Sequence, residues 1–213
     1  MGQFKVYGLL EKKVARFALF TRDSSGNWSM PKTISLLIPD GTKPVNNVVI
    51  SAIPQNESTI ELRWNKAVFS GTDAQWVRIL HGATKAVSVA DTATLTTSWS
   101  PTSDSSTLIG GLSEKTGYWF TLFVVDSSTN HSDTAGSATV FAQTLDLTTP
   151  DNITGLSTAY EGLGKISLKW KPSVSTDVES VFVRYRTDAV YPSGIYDGTL
   201  LKTYSAKDSF DVV

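Results

Sequence analysis

Two stretches of this chain, RFALFTRDSSGNWS from Arg16 and WFTLFVVDSSTNHS from Trp119, are near copies lying 103 residues apart. Gly8-Leu9 returns as Gly111-Leu112 at that offset, and Phe17, Phe20, Asp23, Asn27 and Ser29 return as Phe120, Phe123, Asp126, Asn130 and Ser132. A second block repeats at an offset of 106, pairing Pro44 with Pro150, Trp64 with Trp170, and Val77-Arg78 with Val183-Arg184. Two blocks with almost the same period describe a repeat as long as a domain, far longer than the roughly 20–50 residues of a solenoid unit. The 213 residues therefore hold about two periods, which suits domains of about 100 residues.

Within each period the pattern is that of strands. In STIELRW, Ile60, Leu62 and Trp64 alternate with Glu61 and Arg63, and KISLKW repeats the alternation with Ile166, Leu168 and Trp170. Tyr118, Phe120, Leu122 and Val124 share one face of YWFTLFVVD. A period of two reads as a half-buried antiparallel strand. Turn-forming runs such as DGTKP, PTSDSS and TTPDN separate these segments, and no long segment keeps a helical period. Short strands at regular spacing predict an all-β sandwich.

The order of landmarks resembles the fibronectin type III family: a proline, a strand ending in Trp, a Val-Arg strand, Gly-Leu, a Tyr six residues later, an aromatic strand, Asp and a turn. The resemblance runs along essentially the whole chain and is of the kind found in bacterial surface and phage virion proteins. It implies tandem, immunoglobulin-like antiparallel β-sandwiches. It also implies that Trp64 and Trp170 are core tryptophans of strand B, that Tyr118 is the tyrosine-corner residue of strand F, and that Leu112 and Phe120 complete the core. The early copy has Ala15 in the place of Tyr118.

The phase of the repeat sets the domain organisation. Residues 43–146 make one complete domain. Residues 1–42 carry only its C-terminal part, strands E to G, and residues 147–213 only its N-terminal part, strands A to E. SFDVV at the C-terminus resembles QFKVY near the N-terminus, aligning Val213 with Tyr7. A segment of about 40 residues buries too little surface to offset its ordering entropy, so neither part should fold alone. Two readings stay open: a piece of a longer multidomain chain, or halves that complete each other between copies, head to tail.

No reactive constellation can be assembled, so no catalytic residue, cofactor or metal ligand is expected. His81 and His131 are the only histidines and there is no cysteine. Asp23 and Asp126 precede SSGN and SSTN turns, where an aspartate bonding its own turn backbone competes with a calcium loop, and the dense oxygen ligands of such a loop are missing. At a net charge of −1 nothing suggests a nucleic-acid partner, which would want a basic stripe, and no run approaches the roughly 20 apolar residues of a membrane span. Strand alternation points Trp76, Arg78, Trp119 and Phe123 away from the core on neighbouring strands C and F, a candidate face for a protein partner or glycan.

The functional expectation is a non-catalytic structural, adhesion or spacer module of an extracellular, cell-surface or virion fibre. Its partners would be neighbouring domains, other copies of itself, or a surface glycan. The alternative is a carbohydrate-binding accessory module of a secreted polysaccharide-degrading enzyme.

Overall fold

Segments of alternating apolar side chains, such as Ile60–Trp64 and Lys165–Lys171, form strands. The structure, a computed structural model, describes residues 3–93, 95–205 and 210–212. Val213, aligned above with Tyr7, lies outside the described residues. Contacts divide the chain into two compact units, residues 1–147 and 148–213. Among the described residues, the only helical elements are two 3-10 turns, at Lys66–Phe69 and Gly136–Ala138.

In the first unit, β1 (Val14–Leu19) and β2 (Lys32–Leu37) pair as an antiparallel hairpin that, among the described residues, joins no other sheet. A complete sandwich follows. Its smaller sheet has β3 (Ile50–Pro54), β4 (Ile60–Trp64) and β7 (Ser106–Ile109) in the order β3-β4-β7. Its larger sheet has β5 (Ala74–Gly82), β6 (Thr96–Pro101), β8 (Gly117–Asp126) and β9 (Thr139–Gln143) in the order β6-β5-β8-β9. In sandwich nomenclature these sheets are A-B-E and C′-C-F-G, the fibronectin type III-like arrangement. Ile60, Leu62 and Trp64 face Val77, Ile79, Phe120 and Leu122 in the core between them. Trp64 keeps 5% of its surface, and its neighbours Ile60 and Leu62 none.

Tyr118 closes a tyrosine corner: its hydroxyl accepts a hydrogen bond from the Ser113 amide at 2.9 Å, and Leu112 packs in the core beside it. Tyr118→Phe should cost about 1 kcal/mol, the net worth of one such bond, because water can reach the exposed Ser113 amide. Urea denaturation of the two proteins measures the difference.

The repeat extends to the backbone. Lys12 and Lys115, at φ 60° and 51°, take the same left-handed conformation in equivalent turns. Asp23 Oδ1 accepts the amides of Ser25 and Asn27, and Asp126 Oδ1 accepts those of Ser128 and Asn130. The turn residue needing positive φ is Gly26 in one copy and Thr129 in the other.

The second unit is an open sandwich. β10 (Thr154–Gly162), β11 (Lys165–Lys171) and β14 (Phe210–Val212) form the sheet β10-β11-β14, and among the described residues β12 (Ser180–Tyr185) pairs only with β13 (Thr199–Ser205). In order and pairing, β10-β11-β14 matches the A-B-E sheet β3-β4-β7 of the complete sandwich, and β12-β13 matches its C-C′ pair β5-β6. The hairpin β1-β2 pairs in the register of β8-β9, the F and G strands of the complete sandwich. Among the described residues, 3–10, where an E strand is expected, hold no strand. An E strand is held by pairing with B, as β7 is on β4 and β14 on β11. The hairpin has no B strand beside it.

Candidate functional site

Two open apolar faces set this molecule apart from a finished sandwich. The first lies on the hairpin. Ala15 opposes Leu36 and Phe17 opposes Ile34, in the register that sets Tyr118 against Ala142 and Phe120 against Val140 in the complete domain. Phe120 and Leu122 are fully buried, whereas their equivalents Phe17 and Leu19 are half-buried and 66% exposed. Ile34 and Leu36, on β2, are 66% and 60% exposed.

The second face is a groove of about 580 Å³ between the two sheets of the C-terminal unit. Leu156 from β10, Ile166, Leu168 and Trp170 from β11, and Val183 and Tyr185 from β12 line it. Ile50, Ile60, Leu62, Trp64, Val77 and Ile79 are their equivalents, all in the core of the complete domain. Ile166 is 43% exposed where Ile60 is fully buried. Trp170 alone is as well covered as Trp64, because the Tyr204 ring meets it edge-on at 5.2 Å.

The expected aromatic face needs correction. Phe123 does point to the outer side of β8, but it is fully buried. The long connection from β5 to β6 folds over that side and packs Ala86 and Leu95 on Phe123 and Leu80. Alternation assigns a residue to a side of the sheet and is silent about what covers that side. Trp119 is half-buried, 5.3 Å from the Phe141 ring, and opposes Gly82. Trp76 opposes Val125 further along the same pair of strands. Six residues of β5 separate these positions, about 20 Å at roughly 3.3 Å per residue, so Trp76 and Trp119 do not share a patch. Trp99 on β6 is the aromatic that joins Trp76. Arg78 lies 5.4 Å over its ring and His131 meets it at 6.3 Å. Burial first, and then the Arg78 charge, lower the His131 pKa. Trp99 sits in the polar run TTSWSP, and only its direct pairing with Arg78 reveals it.

The carboxylates of Asp40, Asp73 and Asp126 lie within 4.8 Å of one another at the base of the hairpin. The Lys12 ammonium enters this group, bonding Asp73 and lying 2.9 Å from Asp40. These contacts raise the Lys12 pKa, and the lysine in turn lowers that of Asp40. Asp126 Oδ2 is already taken by the Asn130 side-chain amide at 2.9 Å. The Lys12 ammonium thus brings one positive charge to the three carboxylates. The Lys12–Asp40 pair returns as Lys115–Asp146, also at 2.9 Å.

No protein-family model matches the chain, and no curated protein does. Solved structures of low identity resemble it. One comprises the FN1-FN3 domains of chicken CNTN1, with TM-score 0.44 and 15% identity, covering 65% of this chain and 43% of that one. Another is a two-domain fibronectin type III segment from chicken tenascin, with TM-score 0.38 and 17% identity, covering 77% and 79%. The fold assignment rests on the strand order and core described above.

Proposed function

We propose that this chain is a non-catalytic structural module of an extracellular fibre, of the cell-surface or virion kind, whose copies join head to tail by completing one another's half-domains. One observation carries the reading. Positions that are buried in the complete sandwich, such as Phe120, Leu122, Ile60 and Ile79, have exposed or half-exposed equivalents in both incomplete parts. Contiguous exposed apolar surface of this kind marks an interaction site. Each joint would rebuild one seven-stranded sandwich, so a filament would be an unbroken row of such domains.

A second reading, a glycan-binding accessory module of a secreted polysaccharide-degrading enzyme, draws on Trp76 and Trp99, which are 44% and 50% exposed beside a groove of about 370 Å³. Electron microscopy and polysaccharide affinity chromatography, run on the same preparation, separate the two. Filaments support the structural module; retention on polysaccharide by single particles supports the second reading.

A further inference from the structure

We infer that β1 of one copy adds to the free edge of β12 in a second copy, in a register with Phe20 opposite Arg184 and Ala18 opposite Arg186. This rests on the head-to-tail reading above and specifies its partner as the chain itself and its contact strand by strand.

The complete domain supplies the template. There β5 is hydrogen-bonded on one side to β6 and on the other to β8. Among the described residues, β12 in the C-terminal unit keeps the first partner, as β13, and has a free second edge, and β1 in the hairpin pairs only with β2. The two free edges are the pair that β5 and β8 join. An extended segment added to an open sheet edge gains a ladder of main-chain bonds, and its alternate side chains fill the pockets behind.

The register follows from the repeat. In the complete domain Val77 opposes Val124, Arg78 opposes Phe123, Ile79 opposes Leu122 and Leu80 opposes Thr121. Moved by the offsets of 106 and 103, these pairs become Val183 with Thr21, Arg184 with Phe20, Tyr185 with Leu19, and Arg186 with Ala18. This choice places Phe17 and Leu19 over the groove that Ile166, Leu168 and Trp170 line. A slip of one residue would turn both away from it and direct Ala18 and Phe20 inward. A β1 strand in this register carries β2 with it, and Ile34 and Leu36 then cover the far side of the groove as Val140 and Ala142 do in the complete domain.

The test is disulfide trapping, in a chain with no cysteine of its own. The 213-residue chain carrying Ala18→Cys with Arg186→Cys, mildly oxidised, should give a ladder of covalent multimers on a non-reducing gel. Val14→Cys with Arg186→Cys should give none. Four strand residues move that thiol about 13 Å away, beyond the roughly 7 Å Cα separation a disulfide spans. Circular dichroism of each variant before oxidation verifies folding. Multimers by sedimentation with no ladder from the Ala18 pair, or with an equal ladder from the Val14 pair, would overturn the register and leave head-to-tail joining standing. A chain that stays monomeric would overturn both.

Discussion

Trp64→Ala is expected to unfold the central sandwich or leave it barely stable. Trp64 is 5% exposed, and it lies against residues from both sheets. Truncating a buried tryptophan removes about 3–5 kcal/mol, against a total of about 5–15 kcal/mol for an ordinary domain. The indole Nε1 has no hydrogen-bond partner among the described residues, and neither does that of Trp170. The residue therefore acts through volume and area, and Trp64→Phe should lose much less than Trp64→Ala. Chemical denaturation followed by the remaining tryptophans measures both. An unchanged midpoint for Trp64→Ala would contradict the packing described for the core.

Leu19→Asp should abolish joining between copies while leaving each copy folded. Leu19 is 66% exposed, so a carboxylate there remains in water in the single chain. In the joined state the same position becomes the equivalent of Leu122, which is fully buried. An unpaired charge in that setting costs about 4 kcal/mol, roughly a thousandfold in the joining constant. Leu108→Asp serves as the control: Leu108 is also exposed, at 64%, but it lies on β7 of the finished sandwich. If both substitutions weakened association equally, general surface stickiness and not half-domain completion would be the cause.

Most of the architecture was legible because a repeat carries its own alignment. Once Trp64 matches Trp170 and Phe120 matches Phe17, the strands A to C of one copy and F and G of the other follow with their inward faces. What escaped depended on contacts that no periodicity encodes. Phe123 lies on the expected side of its strand and is nevertheless covered, because a connection rich in small and polar residues folds back over it. Trp99 belongs to β6, a strand so polar in sequence that alternation does not single it out. That the described residues 3–10 hold no strand has the converse cause. Residues 3–6 align with β7, which owes its extended form to pairing with β4, and the hairpin has no such neighbour. The Lys12, Asp40 and Asp73 group joins residues up to 61 positions apart and follows from the fold alone.

Sedimentation velocity of the unmodified chain over a dilution series tests the half-domain completion most directly. On the proposed head-to-tail reading the joint would be the interior of a sandwich, the size class of obligate interfaces that bury roughly 2,000 Å² or more. The expected result is a distribution that shifts steadily to larger species as concentration rises, without stopping at a dimer, because every added copy presents a fresh hairpin and a fresh groove. A single monomeric boundary at every concentration would contradict it.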